Sequence, residues 1–260
     1  MTATEVTTDV VLSERRGNVL VMTLNRPEQK NAVNIEVANQ MAAALDRLDS
    51  DPDLAVGVLT GGSEIFSAGM DLKAFAQGQV PSLPGRGFGG ITRATVRKPL
   101  IAAVEGWALG GGFEMVLSCD LVVAGETARF GFPEVTRGIV AGEGGLIRLP
   151  HMIPHHVAVQ LLLTGEPLSA ADAARYGLVN VLTAPGGALD GALELAGRVA
   201  KNAPLALAAV KQVLTASQGL NDADAFERQE TIIRPLFTSE DAHEGAVAFA
   251  QKRQPVWHGR

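Results

Sequence analysis

The chain has 260 residues, 47% of them hydrophobic, with a formal net charge of −6 and an isoelectric point near 5.4. That apolar content can bury a substantial core, as one large domain or one domain with an appendage. The acidic balance disfavours nucleic acid as a partner, since nonspecific binding to it rests on positive charge against phosphates.

A single cysteine, Cys119, excludes an internal disulfide framework and reads as a small buried apolar residue after Val116 and Leu117. No apolar run approaches a membrane span, and Met1 to Asp9 lacks the basic and apolar regions of a leader peptide. The expected location is the cytoplasm, with no membrane partner.

Val10 to Leu12 and Val19 to Leu24 read as paired strands around the turn residues Gly17-Asn18. Ile35, Ala38, Met41, Ala42, Leu45 and Leu48 recur at helical spacing, and Asp51-Pro52 stops that helix. Val56 to Thr60 is the next strand, followed by Gly61-Gly62 and a Ser67-Ala68-Gly69 turn. Gly78 to Gly90, with Pro81, Pro84 and five glycines, is the least ordered segment by composition and reads either as a mobile lid or as a long surface loop. Leu100 to Val104 and Leu121 to Ala124 are further strands, the second leading through Ala128 to Phe132 into Pro133-Glu134. Beyond Ala200 the pattern is helical throughout: Pro204 to Ser217, Asp222 to Ile233 and Ser239 to Lys252. The basic pairs Arg15-Arg16, Arg97-Lys98 and Lys252-Arg253 read as solvated surface.

The chemistry concentrates between Leu109 and Glu134. Three successive glycines, Gly110 to Gly112, remove every Cβ from the turn before a helix-forming run, so a ligand carbonyl can approach the amide N–H groups there. A flexible connector or a close helix-to-strand contact would need the same residues. The run lacks the Lys-Ser/Thr of a P-loop and the spacing of a dinucleotide fingerprint. Glu114 and Glu134 stand in apolar company, where desolvation raises a carboxyl pKa and a second carboxylate spreads the pair. Their plainer readings are a helix-start glutamate and a surface glutamate after a proline. His151, His155 and His156 are interrupted by Pro154 and have no carboxylate to complete a metal set, so no metal site is expected. Ser67 and Ser118 have no triad partners in the sequence.

Ile101-Ala102-Ala103-Val104-Glu105-Gly106-Trp107-Ala108-Leu109-Gly110-Gly111-Gly112-Phe113-Glu114 resembles the signature of the crotonase (enoyl-CoA hydratase/isomerase) superfamily. Asn25-Arg26-Pro27 with Asn31-Ala32, Phe66 to Leu72, Phe130 to Glu134, and Glu244-Gly245 with Ala248 to Arg253 look like further family motifs in family order. The resemblance covers nearly the whole chain. It implies an α/β fold of the ClpP-like type, a spiral of repeated strand-strand-helix turns over residues 1–199. Residues 200–260 would form a helical region that builds homotrimers, often paired as hexamers. No internal sequence repeat is visible, so the spiral rests on the resemblance alone.

The same resemblance implies an acyl-CoA substrate, with CoA as part of that substrate and no separate cofactor. It maps the oxyanion donors onto the N–H groups of Met70 and Gly111, and the acid/base pair onto Glu114 and Glu134. Arg26, Ala68, Asp71 and Leu72 join Met70 and Gly111 as implied substrate contacts. Lys252 matches a position near the CoA phosphates in some relatives, where it comes from a neighbouring subunit. Met70 replaces the alanine common in hydratases, which alters pocket shape while leaving the amide available.

Two glutamates suit hydration of an enoyl-CoA, whereas isomerases of the family generally use one carboxylate. Ser239 to Arg260 and Gly112-Phe113-Glu114 look particularly like the carnitinyl-CoA dehydratase branch. A trimethylammonium acyl chain would favour an aromatic or acidic partner such as Trp107, Phe88 or Glu143. A catalytically silent CoA-binding or RNA-associated interaction protein is the reading from another class.

Overall fold

The computed structural model describes residues 9–260, so the reading of Met1 to Asp9 as free of a leader lies almost wholly outside the described residues. β1 (Val11–Arg16) and β2 (Val19–Leu24) pair antiparallel with Arg16 opposite Val19, leaving Gly17-Asn18 as the turn. β1 runs four residues past the expected Leu12, because Ser13 to Arg16 form an exposed sheet edge where polar side chains are at home. There Arg15 pairs with Asp53 and Arg16 with Glu14, both exposed.

α1 (Ile35–Ser50) starts where the Asn34 side chain accepts a hydrogen bond from Val37 N, and it buries Val37, Ala38, Met41, Leu45 and Leu48 as one stripe. β3 (Val56–Thr60), the short α2 (Leu72–Ala76) and the small hairpin β4 (Ser82–Leu83) with β5 (Gly87–Phe88) follow. Then come β6 (Leu100–Val104), β7 (Trp107–Leu109), α3 (Gly111–Val116), β8 (Leu121–Gly125) and β9 (Arg129–Gly131). A single-turn helix, Pro133–Arg137, leads to α4 (Gly145–Met152) and α5 (His155–Thr164). The core closes with β10 (Leu168–Ser169), α6 (Ala170–Arg175), β11 (Val181–Thr183) and α7 (Ala188–Val199). α8 (Pro204–Ala216), α9 (Asp222–Ile233) and α10 (Glu240–Ala250) complete the chain, close to the expected helices.

The main sheet has the order β1-β2-β3-β6-β8-β11, parallel from β2 onward. Both faces of the inner strands β2, β3, β6 and β8 are covered, so these strands read as nearly unbroken apolar runs. Leu20, Met22, Leu59, Leu100, Ala102 and Val122 face the core shared with α1 and α3. Val19, Val21, Val56, Val58, Ile101 and Val123 face Ala188, Ala192 and Ala196 of α7.

A second ladder runs beside this sheet. Val33 bridges to Met70, Ser67 to Ala108, β7 to β9 and β9 to β10. Each turn of the chain therefore contributes one strand to the main sheet and one short stretch to the second ladder. That alternation is the spiral of strand-strand-helix turns, with the helices α8 to α10 following it.

Gly78 to Val80 and Pro84-Gly85 are exposed, as a surface loop would be, and only the later part of the segment Gly78 to Gly90 departs from its compositional reading. Gly87 to Thr92 are buried, and the backbone of Gly90 lies so close to Ala38 O that a Cβ there would come within 2.3 Å. Gly89 packs against Met115 of α3 and Gly90 against α1, and Gly87 lies against Thr92 and Glu143, whereas Gly78 and Gly85 have open space around them.

Candidate active site

The site is built where the second ladder ends in two glycine turns. Asn31 holds the first from below. Its Oδ1 accepts from Arg26 N, its Nδ2 donates to Gly61 O and Ile65 O, and its own carbonyl accepts from Ser67 Oγ at 2.8 Å. Ser67 Oγ in turn accepts from Gly69 N, and Ala68 N donates to Lys30 O. The Asn-Arg-Pro and Asn-Ala motifs are thus a scaffold for the loop carrying Met70. Gly69, at φ +89°, lies against Leu109 O and Gly111 N, so the two turns touch.

At the second turn Gly110 adopts φ 53°, ψ −127°, a conformation that strongly favours glycine. A Cβ on Gly110 would stand 2.8 Å from Glu134 Oε1, and one on Gly111 would enter the Phe88 ring at 2.4 Å. Gly69, Asp71 and Gly110 all donate their N–H groups to protein acceptors. Among the described residues Met70 N, between Gly69 and Asp71, donates to no protein acceptor, and neither do Gly111 N, Gly112 N and Phe113 N at the start of α3.

Of these four residues only Met70 and Gly111 line a cleft of about 480 Å³. Ile65, Ala68, Leu72, Trp107, Leu109, Pro133 and Ile139 give it an apolar wall, while Lys30, Glu134 and Arg137 are its charged residues. Leu72, Trp107 and Ile139 remain about half exposed at 54%, 45% and 47%.

Glu134 follows Phe132-Pro133, with the rings of Phe113 and Phe132 stacked at 4.8 Å beneath. Its Oε2 is buried and has no hydrogen-bond partner among the described residues. Burial raises its pKa above the ordinary carboxyl value, and the neighbouring Glu114 charge adds to the rise against Arg137. Glu114 is 3% exposed and sits behind the cleft wall. Burial raises its pKa as well, opposed by the bonds its Oε1 accepts from Gly145 N at 2.9 Å and Glu143 N at 2.7 Å. Two carboxyls that hold protons more tightly than usual, one of them on the cleft wall with a buried oxygen unpartnered among the described residues, can exchange protons beside two unspent N–H donors.

Of the residues singled out in the sequence, Ala68, Met70, Leu72, Gly111 and Glu134 lie on the cleft wall. Arg26 and Asp71 lie behind it, paired with each other at 3.0 Å, and Asp71 also caps α2 through Lys73 N and Ala74 N. Lys252 is an exposed residue after α10 and is not among those lining the cleft of this chain. Trp107 is on the wall, whereas Phe88 backs Gly111 from behind and the Glu143 carboxylate faces Arg93. Sequence reasoning missed Lys30 and Arg137. Their signal was position, Lys30 just before Asn31 and Arg137 one turn after Glu134, since lone cations in loops otherwise look solvated.

The enoyl-CoA hydratase/isomerase description fits residues 14–260. A carnitinyl-CoA dehydratase of Salmonella paratyphi A is 41% identical over 255 residues, spanning 95% of this chain and 97% of the relative. An enoyl-CoA hydratase from Mycobacterium tuberculosis H37Rv is 51% identical, with a TM-score of 0.95 over 97% of this chain and 100% of that structure. A carnitinyl-CoA hydratase from Mycobacterium avium is 44% identical, with a TM-score of 0.79 over 98% and 100%. Motifs, spiral and likeness along nearly the full length agree: the chain belongs to the enoyl-CoA hydratase/isomerase family and has the crotonase fold.

Proposed function

We propose that this chain adds water reversibly across the C2–C3 double bond of an enoyl-CoA thioester. The observation that carries the reading is the pair of unengaged amides, Met70 N–H and Gly111 N–H, on the same cleft wall as Glu134. Water attack at C3 moves charge onto the thioester oxygen, and the two amides are the donors that hold this enolate. Each such donor contributes about 2.7–4 kcal/mol of transition-state stabilisation. Glu114, its Oε1 fixed by two backbone N–H groups, orients the water and accepts its proton. Glu134, lacking such bonds on Oε2, gives its proton to C2 as the enolate collapses. Proton transfer between the two carboxyls then restores the pair. CoA enters only as part of the substrate, and the expected assembly is a homotrimer or a pair of trimers.

The apolar wall and its two cations, Lys30 and Arg137, favour a neutral acyl chain over a trimethylammonium one. The runner-up, hydration of crotonobetainyl-CoA, draws on Trp107, whose ring is available on the wall for a cation, and on the names of the relatives above. A side-by-side turnover screen with crotonyl-CoA, longer enoyl-CoA thioesters and crotonobetainyl-CoA decides between them, read at the enoyl thioester absorbance. Turnover of none of these would favour the silent CoA-binding alternative.

A further inference from the structure

Glu143 lies outside the cleft lining, yet it is bonded to both halves of the machinery behind it. Its main-chain N–H donates to Glu114 Oε1 at 2.7 Å. Its side-chain Oε2 accepts from Phe88 N and from Thr92 Oγ1, each at 3.1 Å, and faces Arg93 Nε at 3.2 Å. The ring of Phe88 fills the space where a Cβ on Gly111 would stand. One residue therefore connects the carboxylate that orients water with the ring backing an oxyanion donor.

We infer that Glu143 is a positioning residue for the hydration reaction, latching the hairpin β4–β5 to the loop that holds Glu114. Its reach fixes Gly111 N–H and Glu114 relative to one another. The hairpin is shaped for this contact: Gly87, at φ +70°, would with a Cβ come within 2.9 Å of Glu143 Oε2 and 2.4 Å of Thr92 Oγ1. Arg148 braces the latch from behind, donating to the carbonyls of both Thr92 and Glu143. A polar group holding two elements rigidly matters because small misplacements of reacting groups are costly, about 10²-fold for 1 Å in unfavourable cases.

The inference rests on the hydratase reading, so the wild-type rate is measured first. Two variants then separate reach from charge. Glu143→Gln keeps an oxygen at the same distance to accept from Phe88 and Thr92. Glu143→Asp keeps the charge and withdraws it by one methylene. With steady-state hydration and melting temperature recorded together, Glu143→Gln should keep kcat within about threefold, and Glu143→Asp should lose about tenfold or more with little change in KM. A kcat for Glu143→Asp equal to wild type, or equal losses in both variants, overturns the latch. So does a loss in Glu143→Asp that tracks only the unfolded fraction. A wild type that hydrates no enoyl-CoA removes the hydratase reading itself, and the proposal with it.

Discussion

Glu134 carries a buried oxygen without a partner among the described residues, and burial raises its pKa above the ordinary carboxyl value, an arrangement that costs stability and supplies reactivity. Replacing Glu114 or Glu134 with Gln keeps size and removes proton exchange, so hydration should fall about 10²-fold or more in either variant. Loss only in Glu134→Gln would point to an isomerase, and near-normal rates in both would sink the hydratase reading. The same residues set a pH trend in stability. Because the folded chain raises both pKa values above the ordinary 4.5, it binds these protons more tightly than the unfolded chain does. Their contribution is fully present below pH 4.5 and fades as pH rises through the raised folded values. Glu134→Gln should therefore melt above wild type at pH 8, with the gap closing toward pH 4.5 in a melting series. Gly111→Pro deletes a donor N–H and crowds Phe88, so acyl-CoA turnover should collapse. Met70→Ala leaves its amide in place and should shift chain-length preference while sparing a small substrate. Complete inactivation would show that the Met70 side chain, not its backbone, does the work.

α3 has six residues, well short of the roughly 12 to 15 at which an isolated helix becomes even marginal in water. What holds it is Phe113, fully buried, with ring centroids 4.8 Å from Phe132 and 5.3 Å from Phe130. Phe113→Ala should cost about 3–5 kcal/mol in urea unfolding, and a cost under about 1 kcal/mol would mean the turn is fixed by its glycines alone. The tail after α10 is tied down differently. Arg253 and the N–H of Val256 hold the Glu244 carboxyl at about 2, and Trp257 Nε1 donates to Lys201 O. Since this folded pKa is depressed, its contribution is present above the ordinary 4.5 and is lost only as pH falls toward 2. Glu244→Gln should speed amide exchange over residues 253–258 at neutral pH. Elements of this kind differ in how far the sequence reveals them. β3, β6 and β8 are legible as unbroken apolar runs, and α1 as a stripe, because burial on two faces or one leaves a periodic trace. The hairpin at Ser82–Leu83 and Gly87–Phe88 is not, since glycine reports a need for close approach without saying whether the neighbour is water or Ala38. Arg26 and Asp71 were legible as motif members, but their mutual pairing behind the wall depends on a contact 45 residues apart.

At the scale of the whole molecule, exposed large apolar side chains include Ile147 and Leu163 at 71% and 73% and, toward the C-terminus, Leu214, Phe226, Phe237 and Phe249 at 68%, 67%, 76% and 87%. We propose that copies of the same chain cover the C-terminal ones in a trimer, and sedimentation tests this, a monomer removing the proposal. Lys252 then becomes a candidate for the CoA phosphates of a neighbouring copy. Lys252→Glu should raise KM for an acyl-CoA more than for the matching pantetheine thioester. Added salt should mimic part of the effect, since exposed charges are screened within about 8 Å at physiological ionic strength. Equal rises would assign Lys252 to packing, and no rise would remove it from the site. The second ladder has a consequence for how the chain gains activity as it folds. Met70, Gly111 and Glu134 arrive on successive turns and meet only through the bridges Val33 to Met70, Ser67 to Ala108 and β7 to β9. Contacts so distant in sequence close late, after local helices have formed. In refolding from denaturant, far-ultraviolet ellipticity should return first and enoyl thioester turnover last, making catalysis itself the clock for closure of the final turn.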